Sequence, residues 1–145
     1  MSVEVLDKLS YFKNVIGVKN VSNDISTLTE ISKLIKPGFD LFCGNDYLLI
    51  PSIALGAKSI ISVIGNAYPE EIKKICNNFY ENPLESRLLF YRVMPMMKNL
   101  KKEEMPSVIK YILYIMGVNK SKVRRPVAGC SNLTKRKIEE DYFNF

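Results

Sequence analysis

The sequence predicts an α/β fold of parallel strand–helix units followed by a run of helices. Three observations predict it. Apolar runs of strand length recur at residues 15–19, 39–43 and 59–64. Stretches with helical spacing separate them, and beyond Pro69 only helical periodicity remains. Strands apolar on both sides belong to parallel sheets that are covered on both faces.

Each element has a local reason. Residues 2–14 carry Val3, Leu6, Leu9 and Phe12 at helical spacing, the pattern of an amphipathic helix. Lys13-Asn14 turns the chain into the first strand, Val15-Ile16-Gly17-Val18-Lys19. Side chains alternate across a strand, so Val15, Gly17 and Lys19 share one face. Gly17 is expected to leave room beneath Lys19.

Leu28, Ile31, Leu34 and Ile35 form one face of the next helix, which Pro37-Gly38 stops. The second strand, residues 39–43, ends at Gly44-Asn45-Asp46. Asp46 is the expected N-cap of a helix over residues 47–55, with Pro51 early in it and Gly56 at its end. The third strand is predicted over residues 59–64, with Gly65-Asn66 after it.

The rest reads as helix. Pro69 opens one with the stripe Ile72, Ile75, Cys76, Phe79 and Tyr80. Asn82-Pro83-Leu84-Glu85 opens a second that reaches about Leu100 and contains Pro95. Pro106 opens a third, stopped by Gly117. A basic loop passes Arg125-Pro126, and a last helix spans about residues 135–142. Residues 1–68 are thus expected to hold three βα units, and residues 69–145 a helical region.

Composition narrows the chemistry. There is no histidine, so Ser-His-Asp and Cys-His nucleophile schemes are excluded. Cys43, Cys76 and Cys130 form no CxxC pair, which indicates neither a zinc site nor a disulfide framework and fits reduced thiols in a cytoplasmic protein. The longest apolar run, residues 47–57, is broken by Pro51-Ser52 and is too short to span a bilayer, so no membrane partner is expected. Charge is uneven. Residues 1–70 carry six basic and seven acidic side chains, and residues 71–145 carry fifteen and eight. The basic residues are spread over several helices, which favours solvated faces over a nucleic-acid surface.

Lys19, at the carboxyl end of its strand, is the candidate reactive group, because chemistry sits at that end of the strands in barrels of alternating strands and helices. Tyr47 and Tyr68 follow strand ends and are candidate pocket residues. Asp46 is read either as a substrate contact or as the helix cap described above.

The ordered succession Gly17-Val18-Lys19, Gly44-Asn45-Asp46 and Leu55-Gly56-Ala57-Lys58-Ser59-Ile60-Ile61-Ser62-Val63 resembles the dihydrodipicolinate synthase and N-acetylneuraminate lyase family. Met94-Pro95-Met96, residues 105–110, Met116-Gly117-Val118 and Arg125-Pro126 extend the likeness over nearly the whole chain. The resemblance implies strands six to eight of a (β/α)8 TIM barrel with a C-terminal helical extension. It also implies a class I aldolase or lyase, in which Lys19 forms a Schiff base with pyruvate or another 2-keto acid and no cofactor takes part. Gly44 and Ile61 would contact the keto acid. Homo-oligomers are usual in the family.

The resemblance also implies what lies elsewhere. The threonine motif of strand two and the tyrosine of strand four would fall upstream of Met1. Within the span, Asn20 follows the lysine where an acidic residue is usual, Asn45-Asp46 keeps half of an acidic pair, and Val63 stands where sialic-acid lyases use serine. Imine formation needs an unprotonated amine, which a closed barrel interior favours. Eight strands close such a barrel. The expected activity is therefore that of a split or truncated enzyme needing an N-terminal half-barrel chain. The alternatives are a non-catalytic domain that self-associates and a basic anion-binding protein.

Overall fold

The computed structural model describes residues 1–145. The elements run α1 (Val3–Leu9), β1 (Gly17–Asn20), α2 (Ile25–Ser32), β2 (Asp40–Cys43), a 3-10 turn (Asp46–Leu48), α3 (Leu49–Ala54), β3 (Ser59–Ile60), a second 3-10 turn (Ile64–Asn66), α4 (Pro69–Asn78), α5 (Pro83–Asn99), α6 (Met105–Ile115) and α7 (Asn132–Phe143). They fall into two compact units, Met1–Ser62 and Val63–Phe145. No helix is long and apolar enough to cross a membrane.

The first unit is a three-stranded parallel sheet in the order β1-β2-β3. Val18 stands opposite Leu41, Lys19 opposite Phe42, and Phe42 opposite Ser59. One face is packed: Leu41 joins Leu6, Leu28, Ile31 and Ala57 in a buried cluster, with Val18, Leu34, Ile35, Leu48 and Leu55 against it. Gly17, Lys19 and Phe42 alternate onto the other face.

Two turns explain how short helices alternate with short strands here. Asp24 caps α2, its carboxylate accepting from the backbone N–H groups of Ser26 and Thr27 at 3.0 Å each. α3 ends where Gly56 adopts φ 89°, and the N–H of Ala57 then reaches the Ser52 carbonyl at 2.8 Å. That closing turn needs a left-handed residue, which glycine supplies without a Cβ clash.

Several boundaries differ from the sequence reading. α1 stops at Leu9, because Ser10 turns its hydroxyl onto the Asp7 carbonyl at 2.6 Å. α2 stops at Ser32, so Leu34 and Ile35 pack on the core from the connecting turn. β3 has two residues, and Ile64 lies in the following 3-10 turn. A run of isoleucines suits a strand and a buried turn equally well, so composition could not separate them. Asp46 does not cap α3. Asn45 caps the 3-10 turn that begins at Asp46, its side-chain oxygen accepting from the Tyr47 N–H at 3.1 Å, and α3 itself starts after Leu48 with no side-chain cap.

In the second unit α4 packs against α5. Pro69 sits at the start of α4, whose stripe is buried at Ile72 and Ile75 but ends with Tyr80 exposed. Asn82 caps α5, accepting from the Glu85 N–H at 3.2 Å. The fully buried Ser86 donates to the Ile75 carbonyl at 3.0 Å, which joins the two helices. Ile75, Val93, Met96, Met97, Val108, Ile112 and Ile138 form the interior. Gly117, at φ 76°, closes α6 by placing the Val118 N–H on the Leu113 carbonyl at 2.9 Å. α7 is longer than expected because Ser131 caps it at Thr134.

Candidate functional site

The C-terminal edge of the sheet gathers the residues singled out in the sequence. Lys19 is the third residue of β1 and is exposed. Gly44 follows the end of β2, and its N–H donates to the Asn20 carbonyl at 2.7 Å. A methyl group built on Gly44 would lie 2.7 Å from Lys19 Cε, 2.5 Å from Val21 Cγ1 and 3.0 Å from the Asn20 carbonyl oxygen. The lysine side chain therefore lies across a floor that only glycine provides. No acidic side chain is paired with the Lys19 ammonium.

Gly17 has a different role from the one its position suggested. A methyl group there would come 2.3 Å from the Asp40 carbonyl oxygen and 3.0 Å from Phe42 Cε2. The glycine lets β1 and β2 approach, and the Phe42 ring occupies the space two residues below the lysine. Phe42 was not expected at the site. The signal that finds it is the strand register, which pairs Lys19 with Phe42 and is invisible before the strands are aligned.

Ile61 stands just beyond β3, with its N–H held by the Cys43 carbonyl at 2.7 Å and 48% of its surface exposed. Asp46 accepts a short hydrogen bond from the Ser62 hydroxyl, which links the loop after β2 to the end of β3. Asn45 performs the matching task toward β1. Its amide nitrogen donates to the Ser22 carbonyl at 3.3 Å and to Asn23 Oδ1 at 2.8 Å. Asn20 closes its own turn by accepting from the Ser22 N–H at 3.1 Å. The three post-strand loops are thus stitched together by Asn20, Asn45, Asp46 and Ser62. Ser62 and Asn45 have partners that only the fold brings within reach.

Other polar groups do not supply a second reactive centre. Burial pushes the Cys43 thiol up, and its Sγ donates to the Asn45 carbonyl at 3.1 Å, so it stays a neutral thiol at ordinary pH. Burial also raises the Tyr47 phenol. Tyr68 is not a pocket residue: it is buried, its ring centroid is 4.5 Å from that of Phe145, and burial pushes its phenol up to about 12. Asp40, at the opposite end of β2, is paired with Lys58 at 2.6 Å. No group of three or more Cys, Asp or Glu side chains is placed to hold a metal ion.

Comparison with known proteins places this arrangement. The sequence profile described as the Dihydrodipicolinate synthetase family matches residues 1–142. The chain belongs to that family. The 4-hydroxy-tetrahydrodipicolinate synthase of Rickettsia bellii is 30% identical over 138 residues, which are 94% of this chain and 47% of that protein. The corresponding synthase of a Hydrogenobaculum strain is 32% identical over 142 residues, 97% of this chain and 49% of that one. Among solved structures, the dihydrodipicolinate synthase of Aquifex aeolicus superposes with a TM-score of 0.91 at 28% identity, covering 99% of this chain and 50% of its own. That of Thermotoga maritima gives 0.92 at 26% identity, covering 98% and 50%.

The chain spans about half the length of these family members and corresponds to their C-terminal part. Its sheet is accordingly a partial TIM barrel. β1, β2 and β3 therefore stand where the resemblance put the sixth, seventh and eighth strands.

Proposed function

We propose that this protein is the C-terminal portion of a pyruvate-dependent lyase or synthase that works through a Schiff base on Lys19. The position of the Lys19 side chain across Gly44, at the carboxyl edge of a parallel sheet, carries this reading. The neutral Nζ adds to the keto carbon of pyruvate or another 2-keto acid, and water leaves to give the imine. Once protonated, the imine withdraws electrons from the neighbouring carbon, whose proton departs to leave an enamine nucleophile. Gly44 and the Ile61 backbone would flank the keto acid, and Asp46, held by Ser62, would fix the loop above it. The relatives named above carry the synthase name, which favours that branch over the N-acetylneuraminate lyase branch. The reaction needs no cofactor and suits a cytoplasmic enzyme.

Imine formation requires a closed site around the amine. Lys19 is exposed on the three-stranded sheet, whereas a closed site disfavours the charged form of a lysine.

The test is reductive trapping. Pyruvate and borohydride, added with the N-terminal half of a relative present, should give an adduct on Lys19 that mass spectrometry locates. The Lys19→Ala variant should give none. Failure to trap any adduct in the presence of a bound N-terminal half would overturn the assignment.

The open, partly apolar sheet favours a second reading, a non-catalytic domain that self-associates. A discrete homo-oligomer, seen by sedimentation and indifferent to 2-keto acids, would support it instead.

A further inference from the structure

We infer that the cleft between α5 and α7 in the second unit is a binding site for a small organic anion that also carries a hydroxyl. Lys98 and Lys102 take its charge, and the side-chain oxygen of Asn99 accepts from its hydroxyl. The inference uses residues of the second unit only and does not depend on the reading of Lys19.

The cleft has a volume of about 350 Å3 and is lined by Pro95, Lys98, Asn99, Lys102, Lys137 and Asp141. That size falls at the small end of ligand sites, which span about 300–1,000 Å3. Helical spacing builds both walls. Residues 95, 98, 99 and 102 share one side of α5 and the turn after it, and residues 137 and 141 stand one turn apart on α7. In the turn after α5, the N–H groups of Lys101 and Lys102 donate to the Lys98 and Asn99 carbonyls at 3.2 and 3.0 Å. Those two carbonyls therefore need no lysine ammonium to satisfy them.

The charges of the two walls differ. On α7, Asp141 is engaged at both oxygens: Oδ1 pairs with Lys137 at 2.9 Å, and Oδ2 accepts from the Asn99 amide nitrogen at 2.9 Å. Lys137 also reaches Glu140 at 3.2 Å, so this wall is internally compensated. On α5, Lys98 and Lys102 are exposed and enter no ion pair. Two free ammoniums one helical turn apart fit a carboxylate or phosphate placed between them.

Asn99 specifies the second group of the ligand. Its side chain is fully buried in the wall of the cleft. A carboxylate only accepts hydrogen bonds, so the contact with Asp141 fixes which end of the amide is nitrogen. The amide oxygen is then left without a donor. A buried acceptor with no partner is costly to leave, and a hydroxyl on the occupant supplies the missing bond. Solvated lysines alone would account for the charge, but not for an orphaned acceptor in the wall beside them.

Protection of lysines from acetylation, located by mass spectrometry, tests the site in the full chain. The probes are malate and succinate, which carry the same charge and differ by one hydroxyl, and glycerol phosphate. At matched ionic strength malate should slow acetylation of Lys98 and Lys102 about fivefold or more, while the exposed Lys73 and Lys120 change little. Succinate should need about tenfold more to do the same, because it offers Asn99 no donor. Stronger protection by glycerol phosphate than by malate would support the site with a phosphate as the anionic group, and the reverse would support it with a carboxylate. Lys98→Gln combined with Lys102→Gln alters only exposed side chains. It should keep the circular dichroism of the parent and weaken malate binding about tenfold or more by calorimetry. No protection by either hydroxylated probe up to about 10 mM would overturn the proposal, as would equal slowing of Lys73 and Lys120, the mark of general screening. Equal protection by malate and succinate would overturn the role given to Asn99.

Discussion

Gly17 and Gly44 are kept small for two different reasons, and the difference predicts two different phenotypes. A Cβ on Gly17 meets backbone, the Asp40 carbonyl oxygen at 2.3 Å, so the two strands must separate to admit it. Gly17→Ala should destabilise the fold by about 1–3 kcal/mol, read as a lower urea midpoint. A Cβ on Gly44 meets mainly the far ends of Val21 and Lys19, which can move. Gly44→Ala should therefore cost less stability but displace the lysine, lowering the yield of trapped keto acid in the complex. Tyr68 predicts an alkaline effect. Its phenol is pushed up to about 12 by burial, above its unfolded value near 10. The folded state then holds a proton that the unfolded chain has lost, so stability falls as pH rises between those two values. Tyr68→Phe should remove part of that alkaline loss in urea titrations from pH 9 upward.

Helix ends are the element-scale features most open to test. Asp24 accepts two backbone N–H groups and the hydroxyls of Ser26 and Thr27, which together hold its carboxyl well below the usual carboxylate range. A carboxylate depressed in this way contributes stability above its unfolded value near 4, and loses it as pH falls through the folded value. Asp24→Asn should thus lower the melting temperature at pH 7, with the gap to the parent closing only in strong acid. Ser131→Ala removes the cap of α7, together with the hydrogen bond of its hydroxyl to Glu103 at 2.6 Å. That change should cost about 1 kcal/mol, visible as a lower denaturant midpoint with an unchanged slope. Proline and glycine punctuation made most of these ends legible. Pro69, Pro83 and Pro106 all stand within the first two positions of their helices, and Gly56 and Gly117 both take the left-handed turn that ends one. The cap expected at Asp46 falls one position earlier, at Asn45, and closes the 3-10 turn rather than α3, because Asn45 and Asp46 have equal capping chemistry. Only the hydrogen bonds distinguish them.

At the scale of the whole molecule, β1 and β3 are the outer strands of a three-stranded sheet whose edges carry no further strand. Apolar surface left wet forfeits about 25 cal/mol per Å2, and a typical domain has only about 5–15 kcal/mol in hand. The chain alone should unfold at a low urea concentration. Its midpoint should rise when the N-terminal half-barrel is added, as for any partner that binds only the folded form. A midpoint that does not respond to a saturating half-barrel would show that the open sheet needs no cover.

The order of residues by itself determined the type and succession of elements, the parallel character of the strands and the place of Lys19 at a strand end. Each of these depends on local pattern: apolar period, proline, glycine and the length of a run. Tertiary structure alone decided that Phe42 lies beneath the lysine, that Gly44 is its floor, and that Asn45 and Ser62 tie the loops together. Those contacts join residues 16 to 25 positions apart in sequence. They depend on strand register, which forms when one face of the sheet is buried and which no short stretch of sequence encodes.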